Sequence, residues 1–241
     1  MQTEMADKKT ALITGASRGI GKAVALRLAS LGYHILALSR SGDELRALSD
    51  EIHAQGGSAQ CIVVDLADAR AIESTLPKAV GTLAQIDVLV NNAGIGKVAP
   101  FEEMASMDYD RMMDVNVRST FLVTKIVLPS MKARKSGHIV SIASDVSKRT
   151  FEGGAVYCAS KFAQHALMDA LRREVRPHGI KVSTIYPGLV DTHFHRTPQG
   201  DSRHSTWLRP EDVAETVAFV LNAPTHVIID EITLHPLTQS W

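Results

Sequence analysis

Short apolar runs rich in β-branched residues alternate with longer stretches of helical period along almost the whole of this 241-residue chain. That alternation restricts what it can fold into more than any other feature. The apolar runs are Thr10–Thr14, His34–Ser39, Ala59–Val64, Val88–Asn91, Ile139–Ile142, Lys181–Tyr186 and Glu231–His235, seven in all. Helical spacing covers Ile20–Leu31, Glu44–Ala54, Ala69–Leu83, a long segment Tyr109–Lys132, Tyr157–Arg176 and Pro210–Leu221. Pro210 makes a good first helical residue because its missing N–H is not needed there, and Glu211 and Asp212 suit the positive end of the helix dipole. Strands separated by helices are joined by right-handed crossovers, which lay the strands parallel and cover both faces of the sheet.

The expected fold is therefore α/β, a single-domain Rossmann-type doubly wound sheet of seven mostly parallel strands with helices on both faces. No Pro/Gly/Ser-rich linker, tandem repeat or low-complexity segment divides the chain. Residues 1–241 thus read as one domain, with 1–9 as a polar flexible tail and 193–208 as a lid over a substrate. In such sheets ligands bind in the crevice beyond the carboxyl ends of the strands, and each candidate residue below falls there or just after.

Charge and cysteine content narrow the function classes. Lys plus Arg equals Asp plus Glu, 26 against 26, so no overall field draws the chain to nucleic acid or an anionic membrane. No apolar run approaches the length that spans a bilayer, and the stretch 1–9, with Glu4 and Asp7, resembles neither a secretory signal nor a transit peptide. Cys61 and Cys158 have no CxxC spacing and no His at a ligand interval. That argues for a reducing cytoplasm, no structural disulfide and no metal. The expected partner is a small molecule.

Between the first apolar run and the first helical segment lies Thr14-Gly15-Ala16-Ser17-Arg18-Gly19-Ile20-Gly21. Gly15 permits a tight turn, Gly19 and Gly21 allow close approach of a phosphate and of helix to sheet, and free N–H groups at the helix start attract a pyrophosphate. The spacing is GxxxGxG rather than GxGxxG. At the end of the second run an acidic residue would grip a ribose 2′-hydroxyl, whereas an Arg would accept a 2′-phosphate. The chain has Ser39-Arg40-Ser41 there, and Arg18 in the loop supplies a second guanidinium. The two favour NADP(H) over NAD(H).

Tyr157 and Lys161 stand four apart, on one helix face, with Ser144 thirteen residues before Tyr157. A phenol beside a fixed positive charge can exchange a proton with a carbonyl or an alcohol. Together with Asp65, Asn91-Asn92-Ala93-Gly94, Asn116 and Pro187-Gly188-x-Val190-x-Thr192, these motifs resemble the short-chain dehydrogenase/reductase family, in its single-domain, NADP-preferring branch of roughly 250 residues. The resemblance runs from about Thr10 to about Leu234.

It implies that Tyr157 gives the proton in reduction, or takes it as tyrosinate in oxidation. It implies that Lys161 tunes the phenol and binds the nicotinamide ribose, that Ser144 fixes the substrate oxygen, and that Asn116 anchors a water extending the proton path. Bringing a phenol from its ordinary pKa near ~10 towards neutrality takes about 4 kcal/mol. Asp65, followed by Leu66, suits the adenine amino group. Asn91 would tie strands together, and Asn92, Ala93 and Gly94 would lie near the cofactor ribose. Pro187 and Gly188 would shape a turn from which Val190 and Thr192 reach the carboxamide. Homodimers or homotetramers are implied as well, through the helices bearing Asn116 and Tyr157.

The expected activity is NADPH-dependent, reversible reduction of a ketone or aldehyde. Within that class the alternative is a 3-oxoacyl-[acyl-carrier-protein]-type thioester reductase, against which counts the ending Leu234–Trp241, unlike the Gly-rich close of many such reductases. The alternative from another class is a non-catalytic NADP(H)-sensing protein, against which stand Ser144, Tyr157 and Lys161. Lys148, Arg149 and Phe151 are candidates for the pocket mouth. His193, His195 and His204, irregularly spaced, read as surface histidines, and Cys158 reads as packing.

Overall fold

The computed structural model describes residues 8–81, 85–195 and 198–239. Of the expected tail, 1–7 fall outside the described residues, as do 82–84 at the end of the third helical segment and 196–197 within the lid. The strands are β1 (Thr10–Thr14), β2 (His34–Ser39), β3 (Ser58–Val63), β4 (Val88–Asn91), β5 (Gly137–Ile142), β6 (Ile180–Pro187) and β7 (Glu231–Leu234). They form one sheet in the order β3-β2-β1-β4-β5-β6-β7, every neighbouring pair parallel. The order reverses between β1 and β4, in register through Ala11↔Val88 and Ile13↔Val90, which opens a crevice beyond their carboxyl ends.

The helices are α1 (Gly19–Ser30), α2 (Gly42–Ala54), α3 (Ala69–Gly81), α4 (Ser106–Met113), α5 (Ser119–Arg134), α6 (Ala155–Val175) and α7 (Pro210–Leu221). Side chains of a strand point alternately to its two faces, and the core divides accordingly. Ala11, Ile13, Ile35 and Ala37 pack with α1, α2 and α7, while Leu12, Leu36 and Leu38 pack in the layer of α3, α5 and α6. Both faces being covered, the inner strands β1, β2, β4, β5 and β6 are buried almost throughout, as a parallel sheet requires, while the edge strands β3 and β7 are partly exposed.

One expected element is built differently. The segment Tyr109–Lys132 is not a continuous α-helix: α4 ends at Met113, a π-helical turn spans Asp114–Arg118, and α5 follows. Within and after that turn Ser119 Oγ donates to Val115 O at 2.6 Å and Thr120 Oγ1 to Asn116 O at 3.0 Å, hydroxyl back-bonding that helices tolerate where they bend. α7 begins at Pro210 as expected, its start closed by Arg209 N donating to Asp212 Oδ2 at 2.7 Å.

Candidate active site

The turn after β1 is held in a shape that only glycine permits. Gly15 and Gly19 have φ of +64° and +54°, in the left-handed region that side chains rarely adopt. A Cβ on Gly21 would lie 2.2 Å from Gly15 O, so the first turn of α1 is pressed onto the loop it follows. Asn92 stitches the same loop to the end of β4: its Nδ2 donates to Thr14 O at 2.9 Å and Gly15 O at 3.2 Å, and its N–H donates to Thr14 Oγ1 at 2.9 Å. The tie expected of Asn91 between strands is thus supplied by Asn92. Asn91 instead donates from Nδ2 to Thr124 Oγ1 on α5 at 2.9 Å.

Beyond these turns lies a cavity of about 800 Å³. Every residue of the expected site lines it except Gly21 and Asn116. Gly21 is covered by Gly15 and serves the loop from beneath. Asn116 is wholly buried and its amide is engaged at both ends, Oδ1 accepting from Ile95 N at 2.8 Å and Nδ2 donating to Ile95 O and Ser160 Oγ, each at 2.9 Å. That side chain therefore pins the loop after β4 to α6, and its Oδ1, which accepts one bond here, keeps a second lone pair. The π turn explains this placement, since widening the helix there turns Asn116 towards Ile95.

At the end of the cavity next to β2, Arg18 and Arg40 line it, both exposed. Among the described residues neither has an ion-pair partner, so both guanidinium groups remain available to an anion. Asp65 Oδ1 accepts from Ala67 N at 3.0 Å, which orients the carboxylate beside Leu66.

At the other end Tyr157 and Lys161 project from the first turns of α6 and Ser144 stands just after β5. Ser144 Oγ donates to Asp145 Oδ1 at 3.1 Å and accepts from Val146 N at 3.4 Å. Lys161 is 3% exposed, and a Cβ on Gly94 would come within 3.5 Å of its Nζ. Burial pushes the Lys161 ammonium down to about 8, because a charge loses hydration there. Tyr157 lines the cavity and is half-buried by its neighbours. That burial raises the phenol well above its ordinary value, hydrogen bonding with Ser144 opposes the rise, and the charge of Asp145 adds to it. Burial is the leading influence, and it favours the neutral phenol.

Several residues that sequence reasoning passed over close the site. Phe194 packs its ring 5.5 Å from that of Tyr157, at 51°. Gln239 Nε2 donates to Asp145 Oδ2 at 2.8 Å while its Oε1 accepts from Leu189 N at 2.9 Å, which joins the chain end to the turn after β6. Asp145, 6% exposed, also accepts from Arg149 Nε at 3.1 Å. Gln164 receives a hydrogen bond from Lys161 Nζ at 3.0 Å. Only Asp145 and Gln164 carried a signal, the first by adjacency to Ser144 and the second by lying one helical turn after Lys161.

Two expectations for neighbouring residues need correction. Arg149 and Phe151 line the cavity, but Lys148 does not: its ammonium sits 4.1 Å from the centroid of the Tyr186 ring and pairs with Glu231. His204 is no surface histidine. It is 6% exposed, meets Asp191 Oδ1 at 2.9 Å through Nδ1 and stacks on Trp207 at 3.8 Å. With Asp191 N donating to Leu208 O at 2.8 Å, this ties the segment 193–208 to the turn after β6. Among the described residues no group of three or more His, Cys, Asp or Glu is placed to hold a metal ion, and no helix is long and apolar enough to cross a membrane.

A family model described as short chain dehydrogenase matches residues 9–201. The chain belongs to the short-chain dehydrogenase/reductase family. Among relatives in that family, the sepiapterin reductase of Chlorobaculum tepidum is 32% identical over 236 residues, covering 95% of this chain and 96% of that one. Among solved structures, an alcohol dehydrogenase of the archaeon Thermococcus sibiricus, complexed with 5-hydroxy-NADP, superposes with a TM-score of 0.91 at 32% identity, over 97% of this chain and 99% of that one. A 3-oxoacyl (acyl-carrier-protein) reductase from Agrobacterium tumefaciens with NADP bound has a TM-score of 0.84 at 32% identity, over 94% and 92% of the two chains. Proteins described by different activities thus share this scaffold.

Proposed function

We propose that this chain is an NADPH-dependent oxidoreductase that reduces a ketone or aldehyde to an alcohol. The observation that carries the reading is the sharing of one cavity by Ser144, Tyr157 and Lys161 at one end and by Arg18 and Arg40 at the other. The residues fit the cofactor. The Gly15–Gly21 turn leaves backbone N–H groups for a pyrophosphate, and the two arginines suit a 2′-phosphate. Asp65 and Leu66 would flank the adenine, Ala93 and Gly94 the ribose, and Pro187, Gly188, Val190 and Thr192 the carboxamide. When bound, NADPH supplies the hydride. NADP in the neighbouring structures supports the same choice.

The chain's own part is the proton and the alignment. A phenol that burial keeps neutral can donate its proton to a carbonyl oxygen. Ser144 Oγ can turn from Asp145 to the substrate oxygen, keeping that oxygen within reach of Tyr157. Lys161 carries the charge that stabilises the phenolate left after transfer. Asn116 acts from behind by holding Ile95 and Ser160. The segment 193–208 would cover the substrate end, with Phe194 against the phenol.

The whole chain would act as one NADP-binding unit in the cytoplasm, its exposed Phe121 and Phe162 covered in a homodimer or homotetramer. A monomeric mass at micromolar concentration would remove the last point.

The test is NADPH oxidation against diketones, aldehydes, 3-oxoacyl esters and sugars, with Tyr157→Phe as control. The reading requires turnover of at least one carbonyl and a loss of about 10²-fold or more in the variant, the range for a lost general acid. Activity confined to 3-oxoacyl thioesters would select the alternative within the class. Tight NADPH binding without any turnover would make the chain a nucleotide sensor.

A further inference from the structure

Lys161 is held from behind by a side chain that no part of the proposed proton transfer uses. Gln164 lies one turn further along α6 and is wholly buried. Its Oε1 accepts from Lys161 Nζ at 3.0 Å, and its Nε2 donates to Ser141 Oγ on β5 at 3.1 Å. Ile142 O, also on β5, lies 3.4 Å from the same Nζ. Only the oxygen end of an amide can accept from an ammonium, and Ser141 takes up the nitrogen end, so the amide is anchored in the orientation that Lys161 needs.

The surroundings show what this contact does. On its own helix Tyr157 stands one turn before the lysine, and Asp145, after β5, acts on that phenol. β5 contributes only the Ser141 hydroxyl and the Ile142 carbonyl. The loop after β4 brings Gly94, and the π turn brings the neutral Asn116. Among the described residues no carboxylate pairs with Lys161. A buried cation without a counter-charge depends on neutral acceptors to stay charged. A neutral acceptor also leaves the positive charge uncompensated, and so able to act on the phenol, where a carboxylate would cancel it.

We infer that Gln164 is a positioning residue, anchored by Ser141, that keeps the Lys161 ammonium charged and directed towards Tyr157. The inference rests on the assignment of Tyr157 and Lys161 as the proton-transfer pair.

The test compares Gln164→Leu, Gln164→Glu and Ser141→Ala with wild type. Two readouts are followed across pH: kcat/KM for 2,3-butanedione reduction by NADPH, and NADPH affinity by fluorescence titration. Gln164→Leu should move the falling alkaline limb of both profiles to lower pH by about one unit, because a hydrogen bond to the charged form has been removed. Its kcat at neutral pH should fall about tenfold, with KM for the ketone changed less than about threefold. Ser141→Ala should shift the limb in the same direction by less. Gln164→Glu should shift it upwards while lowering kcat, since the new carboxylate holds the ammonium but opposes phenolate.

If Gln164→Leu does not fold, as judged by circular dichroism, the other two variants decide the matter. Lower kcat with unmoved limbs would make Gln164 a packing residue and overturn the inference. A wild type that reduces no carbonyl at all would defeat the functional assignment instead, and the affinity profile with NADPH would still decide the role of Gln164.

Discussion

The rings of Phe194 and Tyr157 lie 5.5 Å apart and inclined at 51°, so Phe194, from the segment after β6, walls the cavity beside the phenol ring. Gly96 makes room for it: a Cβ there would come within 2.6 Å of Phe194 Cζ and 3.3 Å of Tyr157 Cδ2. Phe194→Ala should admit water and loosen the substrate, lowering kcat/KM about tenfold, mainly through KM, in line with an aromatic contact of about 0.5–1.5 kcal/mol plus lost burial. Gly96→Val should displace the ring and penalise bulky ketones more than small ones. Steady-state constants for a small and an aryl ketone measure both, and unchanged values in the two variants would remove Phe194 from the substrate wall.

Arg18 and Arg40 should decide between the two nicotinamide cofactors. Each charge-assisted contact with a 2′-phosphate is worth about 1.5–3 kcal/mol in a buried setting and less where solvent screens it. Each single Arg→Ala change should then weaken NADPH binding about tenfold, and the double change about a hundredfold, leaving NADH binding nearly as it was. Fluorescence titration with both nucleotides gives the answer. Equal losses for NADH and NADPH would mean that the arginines act on something other than the 2′-phosphate.

Gly21→Ala should damage the protein although the residue does not line the cavity. The added Cβ would fall 2.2 Å from the backbone oxygen of Gly15 and 2.5 Å from Asn92 Nδ2, atoms fixed by the stitch between β1 and β4. Overpacking of that kind costs about 1–3 kcal/mol, or a melting temperature lower by about 2–12 °C for a chain of this size. Thermal unfolding with and without NADPH measures the change, and a wild-type melting curve would show that the loop can yield.

Acid should destabilise the fold through His138. This side chain is buried beneath the sheet surface, and its Nε2 lies 2.9 Å from Ser183 Oγ. Burial first, and the charge of Lys181 second, lower its pKa to about 4. The unfolded chain keeps the ordinary value near ~6.5 and so binds a proton between those values while the folded chain does not. Stability therefore falls as pH drops from about 6.5 to 4, by up to about 3 kcal/mol. His138→Gln should flatten that part of the denaturation-midpoint profile against pH. A slope equal to wild type would assign the acid sensitivity to other groups.

The parts of the site legible in the chain's own pattern are those set by local periodicity. Tyr157 and Lys161 share a face because a helix repeats every 3.6 residues, and Gly15, Gly19 and Gly21 follow a strand and open a helix within a few positions. Arg40 follows directly on β2, where the hydrophobic pattern places it. Lys148 shows the limit of such reasoning. Closeness to Ser144 along the chain suggests the pocket mouth, yet the cation turns towards Tyr186 and Glu231. For His204 a polar lid sequence suggests the surface, because nothing local marks Asp191, thirteen residues away, as its partner.

By itself the sequence determined the alternation of strands and helices, the glycine turn, the arginines beside that turn and after β2, and the Tyr157–Lys161 face. Each of these follows from spacing within one element or across one turn. Tertiary structure decided the rest. Asn116 pins Ile95 because a π turn rotates it. Gln239 bridges Asp145 and Leu189 across 94 and 50 positions of chain, and Phe194 closes on Tyr157 from a different loop. Such contacts depend on the path each loop takes over the sheet, and loop paths are set by global packing, which no local period encodes.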